Sequence, residues 1–149
     1  MDKMEEQPLE YVYLKSNPNE WEIGNPANVQ ISLKALKAYQ EGDLEECLKY
    51  FADTVEIAFD NYEAKLSNAD LKVFFTKGRQ SAKKIEIQMN DWETVTAKNK
   101  SEEWVSLWYK EIVHNNDGKI DSVSVMDDIK IENGKIAVLD QKIRHFAKK

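Results

Sequence analysis

Asn133-Gly134, set between alternating apolar residues, constrains this chain more than any other feature. Asn-Gly readily takes the positive φ angles of a type I′ turn, so the dipeptide marks a two-residue β-hairpin. If Glu132 pairs with Lys135, the register follows. Ile131 faces Ile136, Ile129 faces Val138, Asp127 faces Asp140, Val125 faces Lys142 and Val123 faces Arg144. Side chains alternate along a strand, so all of these share one sheet face. Carboxylates among Val and Ile are costly to bury without partners, and a plain core has no use for them. Asp127 and Asp140 are therefore the first candidates for a site.

A second turn precedes them, at His114-Asn115-Asn116-Asp117-Gly118-Lys119. A two-residue Asp117-Gly118 loop puts Trp108 opposite Asp127, and a four-residue loop puts Ser106 there. Either choice places Trp104, Ser106, Trp108, Lys110 and Ile112 on the Asp127 face, a parity that only a β-bulge would break. The other face of the middle strand carries Ser122, Ser124, Met126, Asp128 and Lys130, mostly polar, which makes the Asp127 face the expected interior. Val105, Leu107, Tyr109, Val113, Leu139 and Ile143 then leave the outer face partly apolar, a candidate homodimer surface.

The 149 residues suit one domain with a real core. A net charge of −6 argues against a nucleic-acid partner. No apolar run approaches membrane-spanning length, so no membrane partner is expected. Met1–Glu6 lacks the apolar stretch of a signal peptide. As it stands the chain reads as soluble and cytoplasmic, and an exported mature form would look the same. One cysteine and two histidines offer no internal disulfide, no metal cluster and no His-rich metal site. No phosphate-loop, dinucleotide or nucleophile-elbow motif is present, and no cofactor is expected.

Residues 1–24 read as an extended arm, docked by Tyr11, Tyr13 and Trp21, ahead of a single domain over 25–147. Asn25-Pro26 opens a helix, since Asn caps and Pro at the first helical position has no N–H to satisfy. Gly42 closes it, and Asp43 with Glu46 starts a second helix in a capping-box pattern. Cys47 shares the second helix's apolar spacing with Leu44, Leu48 and Phe51, which makes it a small core residue. Thr54–Asp60 alternates as a strand, and Asp60 suits the turn that follows. Ser67 caps a third helix. From Lys84 onward the chain reads as strands over about 85–96, 103–114, 120–132 and 135–146, with Trp92 marking a bulge. Helices first and an antiparallel meander after them describe an α+β fold.

The stretch Ala38-Tyr39-Gln40-Glu41-Gly42-Asp43-Leu44-Glu45-Glu46, followed by Tyr50-Phe51-Ala52-Asp53-Thr54-Val55-Glu56, resembles the helix–Gly-Asp-Leu–helix–Phe-Ala-Asp–strand signature of the nuclear-transport-factor-2-like superfamily, its SnoaL-like branch above all. The resemblance covers about residues 25–147. It implies three N-terminal helices packed on a curved antiparallel sheet that forms a cone, a cystatin-like or SnoaL-like α+β barrel with a pocket at one end. It also implies dimerisation through the outer sheet face. Members include ketosteroid isomerases, polyketide cyclases, limonene-epoxide hydrolases, scytalone dehydratases and many non-catalytic domains.

Val125-Met126-Asp127-Asp128-Ile129 looks like the isomerase strand whose protonated Asp helps hold an oxyanion, which puts Asp127 at that position. The isomerases' helix-1 tyrosine falls on Ala35, and their general base falls near Phe59 with Asp60 one residue away. Asp127 and Asp140 also resemble the Asp pair of the epoxide hydrolases. The Arg expected at Val125 is absent, and Lys142 across from it could supply charge.

Three readings follow. The first is a small-molecule-binding domain for an apolar or aromatic ligand. Its pocket is lined by Tyr39, Phe59, Trp104, Trp108, Val125, Asp127, Ile129, Val138, Asp140 and Lys142. The second is a cofactor-independent isomerase, cyclase, dehydratase or epoxide hydrolase. Facing carboxylates at about 5 Å between Cβ atoms repel, one pKa rises, and Asp127 and Asp140 become an acid and a base. The third is a non-catalytic dimerisation module with its cone filled by side chains. Against the catalytic reading, Lys110, Lys142 and Arg144 could simply pair with both Asp residues.

Overall fold

The computed structural model describes residues 8–147. Ten elements follow in order: β1 (Trp21–Ile23), α1 (Pro26–Glu41), α2 (Leu44–Leu48), β2 (Phe51–Phe59), β3 (Tyr62–Ser67), α3 (Asn68–Gln80), β4 (Ala82–Ala97), β5 (Glu103–Asn115), β6 (Ile120–Glu132) and β7 (Lys135–His145). One seven-stranded sheet runs in the order β1-β4-β5-β6-β7-β2-β3. The helices pack on it, α1 against β4 and β5, and α3 against β2, β3 and β4.

The class is α+β, with two corrections to the expected arrangement. The sheet is mixed, because β2 runs parallel to β7. The helices do not all precede it: α3 follows the β2–β3 hairpin, whose second strand lies where the sequence suggested only a turn region. Asp60 makes that turn with φ +50°.

The helix boundaries follow from capping chemistry. Asn25 accepts a hydrogen bond from the Ala27 N–H at 2.9 Å, with Pro26 next in the chain. Gly42 closes α1 at φ +81°, in the left-handed region, and its N–H reaches the carbonyls of Ala38 and Tyr39. Asp43 caps α2 through the Glu46 N–H, and Ser67 caps α3 through the Asp70 N–H. These ends put Val29, Ala35 and Ala38 of α1, Cys47 of α2, and Leu71 and Phe75 of α3 against the sheet. Burial, and secondarily the Asp43 charge, pushes the Cys47 thiol up to about 12, as befits a core cysteine.

Within the segment read as an arm, Trp21–Ile23 pairs with the end of β4. Trp21 is half-buried there, but Tyr11 and Tyr13 are 78% and 86% exposed, so they do not dock. Met1–Gln7 of the arm lie outside the described residues.

Two single-residue shifts in register decide what the interior contains. The β5–β6 turn is a three-residue loop, Asn116-Asp117-Gly118, closed by Asn115 N–H to the Lys119 carbonyl at 2.8 Å. Gly118 takes the left-handed position such loops require, at φ +86°. An odd loop flips the parity, so Leu107 stands opposite Asp127, and neither Trp108 nor Ser106 does. The β6–β7 turn forms at Asn133-Gly134 as expected, with Glu132 opposite Lys135 and Ile131 opposite Ile136. Ala137 is then an extra residue, and from there Lys130 pairs with Val138, Asp128 with Asp140 and Asp127 with Gln141. The bulge falls where β7 gains a second neighbour: the Ile136 N–H bonds the Tyr50 carbonyl, and the β2–β7 register shifts at the same point. A further bulge in β4 lies at Met89/Asp91, close to Trp92.

Candidate functional site

The two shifts sort the candidate residues onto opposite faces. The helix-covered face carries Val105, Leu107, Tyr109, Glu111 and Val113 of β5 and Val125, Asp127 and Ile129 of β6, with Leu139 and Gln141 of β7. Leu107 and Val105 are fully buried, Tyr109 is 3% exposed, and Asp127 is 3% exposed. The other face carries Trp104, Ser106, Trp108, Lys110, Met126, Asp128, Val138, Asp140 and Lys142.

Asp127 and Asp140 therefore do not face each other. Asp140 lies beside Asp128 on the outer face, where Lys142 Nζ contacts Asp140 at 2.9 Å and Asp128 at 3.4 Å. Ser106 Oγ donates to the same Asp128 at 2.9 Å. These are ordinary surface ion pairs. Trp104, Trp108, Val138 and Lys142, expected in a pocket, stand outside with Asp140. Val105, Leu107, Tyr109, Val113 and Leu139, expected outside, pack inward. Ile143 shares the register face of Val125 but is 40% exposed toward the end of β7.

The inward face closes over a cavity of about 320 Å³ between α1, α2, α3 and the sheet. Phe51 and Phe59 of β2, Phe74 and Phe75 of α3, and Tyr39 of α1 give it aromatic walls, while Leu36, Ile85, Leu107, Ile129, Ile136 and Leu139 complete the apolar lining. Phe75 is central: its ring meets Tyr39 and Phe51 edge-on, each at 5.4 Å between centroids. The cavity reaches the surface by Gly78 and Ser81, both exposed. A Cβ at Gly78 would stand 2.9 Å from the Tyr39 hydroxyl, so any side chain there would push the tyrosine tip aside. Of the residues expected in a pocket, Tyr39, Phe59, Asp127 and Ile129 line it; Val125 is buried on the same face without lining it.

Asp127 is the deep polar group of this space. Tyr109 donates its hydroxyl to Asp127 Oδ2 at 2.7 Å, and Gln141 Nε2 donates to Oδ1 at 3.1 Å. Burial raises its pKa to about 6; the two hydrogen bonds pull it down, and the Asp128 and Asp140 charges push it up. Burial also lifts the Tyr109 hydroxyl well above its ordinary range, with the Asp127 charge adding to it. Tyr39 is raised to about 12, again by burial first and then by Glu111.

Glu111, two residues beyond Tyr109 on β5, is the second carboxylate of the cavity. Its pKa is raised by burial and by the Asp127 charge; it is half-buried, and its carboxylate, which makes no side-chain hydrogen bond or ion pair among the described residues, stays open to solvent. Tyr109, Gln141 and Glu111 were missed as site residues because the expected register sent the first two outward and left the third unremarked. The signals were there. Ile136-Ala137-Val138-Leu139 is a run that breaks two-residue alternation, the mark of a bulge. The Leu107 face of β5 is also more apolar than the face with Ser106 and Lys110.

Among the described residues no three His, Cys, Asp or Glu side chains converge in a way that could hold a metal ion, and no helix is long and apolar enough to cross a membrane.

No protein-family model matches the sequence, and no curated protein matches it. Solved structures do match its fold. AusH from Aspergillus nidulans superposes with a TM-score of 0.66 at 12% identity, over 86% of this chain and 90% of that one. An LEH-like epoxide hydrolase from M. tuberculosis gives 0.64 at 8% identity, over 79% and 83%. An NTF2-like protein from Anabaena variabilis gives 0.62 at 14% identity, over 80% and 91%. The chain has the fold of the nuclear-transport-factor-2-like superfamily, as the resemblance around Gly42-Asp43-Leu44 implied.

Proposed function

We propose that this chain binds a small, largely apolar molecule in the cavity under α1 and α3, with Asp127 as the buried polar anchor. One observation carries this: a space of about 320 Å³ with aromatic walls has a carboxylate at depth, held by Tyr109 and Gln141. Ligand sites are concave, mostly apolar and furnished with a few placed polar groups, and this volume lies at the small end of the usual range of about 300–1,000 Å³. A ligand with a ring or two fits it.

The test is a screen of cyclic and aromatic small molecules by amide chemical-shift mapping. Binding is expected to move the signals of Ala35, Leu107, Tyr109 and Ile129. Ala35→Leu, which adds bulk to the cavity wall, is expected to abolish the shifts at a stability cost of about 1–3 kcal/mol. Shifts confined to the outer face, or none with any compound, would defeat the proposal.

A second reading is favoured by the pKa of Asp127. A carboxyl poised at about 6 in a largely apolar cavity can give or take a proton near neutrality, which suits a cofactor-independent isomerase, cyclase, dehydratase or epoxide hydrolase. In that reading Asp127 acts without Asp140, which is on the wrong side of the sheet. The epoxide hydrolase of like fold supports it only by analogy, because one fold hosts many activities. A homodimer through the outer face would now use Trp104, Trp108 and Met126 as its apolar contacts.

A further inference from the structure

We propose that the ligand of this cavity is a protonated apolar amine, an inference that rests on the cavity-binding reading and narrows it. The polar groups lining the cavity are Asp127 and Glu111, both carboxyls, with the hydroxyls of Tyr39, Tyr109, Ser32 and Ser81, the Gln141 amide and the Cys47 thiol. No Lys, Arg or His lines it among the described residues. Arg79 of α3, next to Gly78 in the chain, directs its guanidinium to backbone carbonyls: Nε donates to that of Tyr39 at 3.2 Å, and Nη1 to that of Ala82 at 2.8 Å.

The two carboxylates differ in what they still need. Asp127 has a donor on each oxygen. Glu111, half-buried in the same wall, has no donor and no cation among the described residues. Every buried side-chain polar atom among the described residues has a partner, so the unbonded Glu111 oxygens are open to the water at the cavity's accessible side, and a ligand that displaces this water must offer the carboxylate a charge or a donor. The lining supplies no counter-charge, so a cationic ligand is the group that would complete the site. An anionic ligand would meet two like charges and no compensating cation, and a neutral one would leave Glu111 without a counter-charge.

The walls agree with the charge. The faces and edges of Phe51, Phe59, Phe74, Phe75 and Tyr39 surround the space, and aromatic rings attract ammonium groups within about 6 Å of their centroids. An ammonium carried on an apolar body would meet Glu111 beside Tyr39, with the phenylalanine rings lining the rest of the same cavity. The apolar body would fill the part of the cavity lined by Leu107, Ile129 and Leu139. Ligand selection here is electrostatic, and shape sets only the size limit.

Calorimetric titration with phenylbutylamine and its neutral counterpart phenylbutanol, at pH 7.5 on the full chain, tests this. The amine is expected to bind about tenfold tighter than the alcohol, and E111Q is expected to remove that difference between the two compounds. Unfolding curves confirm that E111Q is folded; if it is not, the comparison on the natural chain decides alone. If the alcohol binds as well as the amine or better, or E111Q weakens both equally, the amine inference is overturned while the cavity reading stands. If neither compound binds, nor any apolar probe of similar size, the cavity reading falls and takes the inference with it.

Discussion

Phe75→Ala is expected to destabilise the domain by about 3–5 kcal/mol. The side chain is 6% exposed and stands where three parts of the molecule meet: Tyr39 of α1 and Phe51 of β2 edge-on at 5.4 Å, and Phe74 beside it at 6.1 Å. Removing it loses the transfer free energy of the ring, two edge-to-face contacts and the wall between core and cavity. The neighbours cannot collapse into the space, because the cavity already lies on one side of it. Phe75→Leu, which keeps most of the volume, should cost much less. Urea denaturation of both variants reads this directly; a loss below about 1 kcal/mol for the alanine variant would mean that the aromatic cluster does not support the cavity.

Replacing Asp127 by Asn should change how stability depends on pH by about 3 kcal/mol. The native carboxyl is raised from 3.8 to about 6, mainly by burial. Between those values the native state binds a proton that the unfolded chain has released, so this group's contribution declines as pH rises through the window and is flat above it. A shift of about two units corresponds to about 3 kcal/mol. Asp127→Asn keeps the shape and stays neutral. The Tyr109 hydroxyl can rotate to accept from the new amide, and Gln141 keeps an oxygen to bond. The stability of the Asn variant relative to the natural chain should therefore climb between about pH 4 and 6 and level off, by about 3 kcal/mol in all. Taking the difference matters, because hydrogen bonds from Lys100, Lys49, His114 and Asn17 lower the pKa values of Glu22, Glu46, Glu86 and Glu102, and those groups favour the fold as pH rises. A flat difference curve would mean that Asp127 is solvated or paired with a cation.

How far the sequence reveals this molecule depends on which physical signal each part leaves. Helix caps are local chemistry, so Asn25, Gly42, Asp43 and Ser67 could be assigned from the chain alone, and the structure places each as expected. The Asn133-Gly134 turn is equally local and forms at the expected residues. Strand β3 is legible in principle, because Tyr62–Ser67 alternates apolar and polar residues, but it is short and mostly exposed at the sheet edge, and the turn residues before it point toward a loop. Its parallel partner relation, β2 beside β7, is a long-range pairing that no local pattern encodes.

The site depended on parity, and parity is unforgiving. One extra residue at Ala137 and one odd loop at Asn116-Asp117-Gly118 each turned a strand over. Asp127 was found because burial makes a carboxylate conspicuous on a Val- and Ile-rich strand. Asp140 was chosen only through the register, and the bulge removed it to the surface beside Lys142. Tyr109, Gln141 and Glu111 became visible as site residues only once the faces were fixed.

Carboxyl-carbon NMR titration of Asp127, in the natural chain and in Asp140→Asn, tests the central claim most directly: Asp127, fully buried and held by Tyr109 and Gln141, is the deep polar anchor of the cavity, independent of Asp140. Asp127 is expected to titrate near 6 and to move little when Asp140 is neutralised, since burial sets its pKa and the Asp140 charge is the smallest of its influences. A value near or below about 4, the range of a solvated or ion-paired aspartate, would contradict the account. So would a large fall on Asp140→Asn, which would mean that the two carboxylates share a proton across one face after all.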